Sequence, residues 1–264
     1  MSSTPSTQIT EALVYEAIAD VLDPELDESL VKLGFIDRIQ VEGPDVTVTF
    51  KLPTYWCSPN FAYLMASDLR SKVQATPGVR STRILLVEHC AEDEVTNGVN
   101  QGHSFAQAFP EEQMEDEHLE DLRRTFLRKG FLMRQETLLR QLQKANIAEE
   151  HILSLRIADL TIDDTNNSAN MTTPTKVVPL PCDARTARAY LNRMAALTIP
   201  HQPHDLLFVN DTGQSIPPGS LQRYIRQSRS VRMNIMFNTV FCVDMFHTRY
   251  GKDAHHIVLE GDEE

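Results

Sequence analysis

Cysteine is scarce in this chain: four in 264 residues, at positions 57, 90, 182 and 242. They lie far apart, with no CxxC, no zinc-finger spacing and no compact disulfide pattern, which argues against a disulfide scaffold or a self-contained zinc module. Basic residues are also few. Lys and Arg number 25 against 37 Asp and Glu, a formal net charge of −12. That balance disfavours a general nucleic-acid surface and an anionic membrane partner. No apolar run approaches the length of a membrane span, and the polar start MSSTPSTQIT has no signal-peptide core. The expectation is a soluble protein of a reducing, cytoplasmic compartment. Apolar residues make up 41% of the chain, enough for real cores. The length allows one large domain or two to three small ones.

Periodicity supplies the elements. Thr10 can cap a helix from Glu11 to Leu22 with an apolar stripe of Leu13, Val14, Ala17, Ile18 and Val21. Pro24 ends it, and Asp23–Asp27 is a polar turn in which Asp23 can serve as the cap. Phe35–Val41 reads as a strand and residues 42–45 as its turn. Val46, Val48, Phe50 and Leu52 alternate, the clearest strand pattern in the chain. A helix follows Cys57 and runs to about Thr76, with Phe61, Leu64, Met65, Leu69 and Val73 on one face. Pro77-Gly78 breaks it, and Val79–Val87 is a third strand. The order is α-β-β-α-β, a small two-layer α+β domain assigned to residues 1–92.

Residues 93–117 read as an acidic linker wrapping over something not specified by the sequence, with Phe105, Phe109 and Pro110 as anchors. From 118 to 264 the patterns are mostly helical. One helix spans His118–Ala145, allowing a break near Gly130, and another spans Ile147–Leu160. A loop or hairpin fills 161–175, a short strand 176–180, and a helix starts at Ala184. Leu206–Val209 is a strand or buried segment, and two helices occupy 219–229 and 232–247. The arginines and lysines from Arg123 to Arg140 read as a solvated helix face balancing the acidic cluster. Ile235–Phe241 is taken as architecture.

The chemistry converges on Thr54-Tyr55-Trp56-Cys57-Ser58-Pro59. Ser58 suits an N-cap and Pro59 the first helical position, which leaves Cys57 just outside a helix N-terminus. Free amides and the positive end of the helix dipole favour a thiolate there. Three readings are open for Cys57: a small buried hydrophobe, a ligand for a soft metal centre, or a nucleophile, for which the sequence names no base. One cysteine cannot hold a cluster. Asp23, Glu25, Glu88, His89 and Cys90 are the candidate co-ligands, with a second subunit as the other source. Tyr55 and Trp56 are either core or a partner-facing aromatic patch. Cys182 and Cys242 rank low as ligands.

Several stretches together carry a resemblance: Asp23-Pro24-Glu25-Leu26, Leu33-Gly34-Phe35-Ile36, the hairpin strands, Cys57 at the helix start, and Pro77-Gly78-Val79. The first ninety residues resemble the MIP18/DUF59 family, the domain of SufT- and PaaD-like metal–sulfur cluster assembly proteins. That family has threonine, proline and glycine before its cysteine and a proline after it; here Tyr55-Trp56 replace the Pro-Gly and Pro59 comes one residue later. Residues 88–110, from Glu88-His89-Cys90 through Phe105–Pro110, resemble longer members associated with di-iron monooxygenases. The C-terminal part resembles the tyrosine-recombinase catalytic domain through Ile152–Leu160, Thr175–Pro181 and Leu207-Phe208-Val209 with Gly213. Ala148 and Phe237-Asn238 stand where that domain's catalytic residues belong, and Tyr250 is no convincing nucleophile, so the resemblance implies a scaffold without strand-transfer chemistry.

The first resemblance implies a non-catalytic maturation factor, not an enzyme. Its cargo would be iron or a transient iron–sulfur cluster, with Cys57, Cys90, His89, Glu25 and Asp23 as metal-ligand candidates and Tyr55 and Trp56 facing a partner. The partner would be a client metalloenzyme such as a di-iron monooxygenase hydroxylase, and a homodimer could bridge the cluster. The alternative is a structural or chaperone-like subunit of a monooxygenase complex with no metal role.

Overall fold

The computed structural model describes residues 9–111, 115–180 and 184–251. The chain divides into two compact units. One comprises the segments up to Arg123 and from Asn238 onward; the other is Arg124–Phe237. The expected boundaries at 92 and 117 do not coincide with this division.

The first unit begins with helix α1, Glu11–Ile18, whose cap Thr10 accepts the Leu13 amide through its side chain. A two-residue hairpin follows, β1 (Leu22–Asp23) and β2 (Glu28–Ser29), closing around the polar turn. Strands β3 (Ile36–Glu42) and β4 (Asp45–Phe50) pair antiparallel. Helix α2 (Pro59–Gln74) carries the chain across to β5 (Ser81–Leu86), which pairs parallel with β4. A parallel pair requires such a crossover. The sheet order is β3-β4-β5. Alternation along β4 buries Val46, Val48 and Phe50 against Leu64, Leu69 and Val73 of α2, in one core with Phe35 and Ile84. The expected α-β-β-α-β order is present.

The expected linker is ordered differently. Helix α3 (Glu92–Gln101) and the four-residue turn of helix α4 (Phe105–Ala108) pack on the same core. Periodicity was too sparse to announce α3, because only Val95, Gly98 and Val99 face inward. Phe105 and Phe109 are the expected anchors: they stack at 4.6 Å, and Tyr63 of α2 meets Phe105 edge-on at 5.4 Å.

Helix α5, Asp116–Lys144, runs without a break at Gly130, which is buried. The second unit continues with α6 (Glu149–Ser154) and a 3-10 turn at Ile157–Asp159, both shorter than the expected helix. Strands β6 (Leu160–Asp163), β7 (Ser168–Thr172) and β8 (Val177–Pro179) form an antiparallel sheet, so residues 161–175 take the hairpin option. Helix α7 spans Ala184–Ala196. The two helices expected across 219–247 are one, α8, Leu221–Tyr250. The core of this unit includes Phe131, Leu139, Met171, Tyr190 and Phe208. Within it Gln135 donates to the Tyr190 hydroxyl and the Val209 carbonyl, at 3.0 and 2.8 Å. Cys182 and the C-terminal tail lie outside the described residues.

Candidate functional site at the start of helix α2

Cys57 directly precedes the α2 cap residue Ser58, with Pro59 in the first turn. Ser58 makes no side-chain capping bond. The loop is instead fixed from its own threonine and from the strand end opposite. Thr54 Oγ1 accepts the Trp56 amide at 3.2 Å and lies 3.3 Å from Cys57 Sγ, leaving its own proton free to point at the sulfur. The Cys90 amide donates to the Tyr55 carbonyl at 2.9 Å.

His89 supplies the second clamp. The Ala91 amide donates to its Nδ1 at 3.1 Å, so Nε2 carries the proton and donates to the Cys57 carbonyl at 2.8 Å. The ring is buried, and burial holds its pKa below the ordinary value; the Arg249 cation adds to this. Both ring nitrogens are therefore in use, and His89 acts on the backbone that carries Cys57. Cys90 is half-buried against the core beside it. As these groups stand, His89 and Cys90 position the loop, a role their sequence spacing could not distinguish from ligation.

Asp23 has the capping role. Its Oδ1 accepts the Glu25 and Leu26 amides at 2.8 and 3.0 Å, closing the turn between β1 and β2. The side chain is buried, and desolvation pushes its pKa up to about 6 despite those two bonds. Glu25 is half-buried and accepts from Asn238 Nδ2 of α8 at 3.2 Å. Among the described residues, no group of three or more His, Cys, Asp or Glu side chains is placed to hold a metal ion.

Tyr55 and Trp56 are not core. They are 46% and 77% exposed, packed edge-on at 4.9 Å. The Ile235–Phe241 stretch of α8 also departs from the expected architectural role. Ile235 is buried, but Met236, Phe237, Val240 and Phe241 are exposed.

The residue that sequence reasoning passed over is Cys242. It is half-buried on the C-terminal half of α8, against the same core as Cys57. Its thiol is pushed up to about 12, by burial first and then by the nearby Asp23, Glu25 and Cys57. No local motif marks it; only the return of the chain brings it here. Tyr250, at the end of the same helix, is likewise pushed up to about 12 by burial, which keeps the phenol protonated.

The basic residues after the acidic cluster are largely committed. Arg123 holds the Asp68 carboxylate with two bonds, of 2.7 and 3.0 Å, and Lys129 lies over the Phe126 ring at 4.2 Å.

Residues 11–86 match the family described as iron-sulfur cluster assembly protein. The match covers less than a third of the chain and contains Asp23, Glu25, Tyr55, Trp56 and Cys57. It ends before His89, Cys90 and the whole of the second unit, so it does not bear on the recombinase resemblance. No curated protein and no solved structure matches significantly. The match supports a general maturation or scaffold role. No described helix is long and apolar enough to cross a membrane.

Proposed function

We propose that the protein is a maturation factor that passes iron or an iron–sulfur unit to a client metalloenzyme, with Cys57 as the sulfur that exchanges the metal. The observation that carries this is the placement of Cys57 within the segment matching cluster-assembly proteins. The residue stands at a helix start, its carbonyl is clamped by His89, and a hydroxyl lies beside its sulfur. Soft thiolates suit iron and iron–sulfur centres, and an incomplete ligand set suits release rather than retention. The exposed Tyr55-Trp56 pair next to the sulfur supplies a docking surface of the kind that dominates interfaces. The client class we assign is a di-iron monooxygenase hydroxylase, on the resemblance of residues 88–110.

Anaerobic iron reconstitution of the wild type and Cys57→Ser tests the reading. Iron uptake and client activation both fall in the variant. Identical uptake and identical activation would sink it.

A second reading, a docking subunit with no metal role, is favoured by the 77% exposure of Trp56. Co-purification with a di-iron hydroxylase separates the two. Under this second reading the complex survives Cys57→Ala and is lost in Trp56→Ala.

A further inference from the structure

We propose that Cys242 is the second sulfur ligand of the metal that Cys57 exchanges, so that the chain offers a two-thiol half-site completed by donor or client. This rests on the reading of Cys57 given above and extends it to a residue outside the matched segment.

The argument starts from the spacing on α8. Asn238, Cys242, Phe246 and Arg249 follow one another at four, four and three residues, which puts them on one helix face. Three of the four have known partners in the first unit. Asn238 bonds Glu25 at 3.2 Å. Phe246 packs on Phe35 with ring centroids 5.0 Å apart. Arg249 donates to the Glu88 carbonyl at 2.8 Å and to the Leu52 carbonyl at 3.5 Å. Leu52 and Glu88 lead into the two segments that build the Cys57 loop.

Cys242 lies one turn, about 6 Å, beyond Asn238. It therefore looks onto the ground between the Asp23–Leu26 turn and the Cys57 loop. Its half-buried side chain packs against the same core as that of Cys57. The contacts on either side of Cys242 on this face therefore bring its sulfur toward the segments that flank Cys57. The two sulfurs come from a helix start and the returning helix.

The ligand count gives the function. Iron–sulfur clusters take about four protein ligands and tetrahedral thiophilic metals take four. One sulfur could hold neither, whereas two sulfurs supply half the set and leave the rest to the partner. An exchange site needs that arrangement, because each partner can hold the metal while the other lets go.

The test uses the full chain, reduced and anaerobic, with Co²⁺ alone as the probe. Thiolate-to-cobalt charge-transfer intensity and affinity are read for wild type, Cys57→Ser, Cys242→Ser and Cys90→Ser, each checked for an unchanged thermal midpoint. Cys242→Ser is expected to lose about half the intensity and to weaken binding at least about tenfold, since even loss of an outer-shell partner costs that much. A loss of intensity in Cys90→Ser equal to that in Cys242→Ser would overturn the assignment of Cys242 as the second sulfur.

If Cys242→Ser binds as wild type while Cys57→Ser does not, the proposal fails and Cys57 keeps its role. If Cys57→Ser also binds as wild type, the proposed function fails with it. Alkylation of the unmutated protein, read by mass spectrometry, guards against a variant that misfolds. Co²⁺ should shield Cys57 and Cys242 together, and shielding of Cys57 alone overturns the second ligand.

Discussion

At the scale of single residues, Asp23 couples the turn to pH. In the unfolded chain it titrates near 3.8, in the fold near 6. Between these values the folded chain keeps a proton that the unfolded chain has released. The stabilisation is therefore full below about 3.8 and is lost as the pH rises through about 6. A shift of about two pH units is worth about 3 kcal/mol. Asp23→Asn keeps an oxygen for the Glu25 and Leu26 amides but has no acidic proton to lose. Its stability relative to wild type should rise by about 3 kcal/mol between about pH 4 and about pH 7, measured by urea unfolding. An equal difference at both pH values would show that the carboxyl does not titrate this way. His89 has the opposite sign: its folded pKa is lowered, so its contribution holds above about 6.5 and is lost as the pH falls. Comparing Asp23→Asn with wild type cancels that term. The sequence revealed the position of Cys57 and the cap role open to Asp23, because both follow from neighbours a few residues away. It did not reveal the His89 clamp, whose meaning depends on which ring nitrogen faces which backbone group.

Elements were most legible where polarity alternates strictly, as in β4, and least where a single small residue decides the packing. Gly98 is such a residue. A methyl there would stand 2.5 Å from the Ala108 Cβ, and Ala108 ends α4 with no flexible side chain to move aside. Gly98→Ala should destabilise the first unit by about 1–3 kcal/mol through overpacking, despite alanine's better helix propensity. A thermal midpoint at or above wild type would contradict that geometry. The break allowed for near Gly130 and the one expected within 229–232 did not occur, for related reasons. One glycine costs a helix only about 1 kcal/mol, and the sequence of α8 contains neither glycine nor proline from Leu221 to Tyr250.

On the scale of the whole molecule, α+β followed by mostly helical was legible, since length and period distinguish those classes. The small β6–β8 sheet was harder to see, because its strands are three to five residues long. A buried charge was not foreseeable at all. Glu136 is fully buried in the second unit, bonded to Arg232 at 2.7 Å with Arg140 at 3.8 Å. Arg232→Met should cost about 3–5 kcal/mol, because it strands a buried carboxylate, while adding Glu136→Gln should recover part of that loss. Urea unfolding of the single and double variants measures both. A single variant as stable as wild type would mean that Arg140 alone satisfies the carboxylate.

The return of α8 to the first unit has a consequence for the order in which the chain is made. Residues 124–237 are contiguous and can close their core as soon as they leave the ribosome. The first unit, although translated earlier, lacks the cover for Phe35 and the partner of Glu25 until residues 238–249 emerge. The core against which Cys57 packs is therefore finished last. Until those residues emerge, a nascent chain presents Cys57 without Cys242.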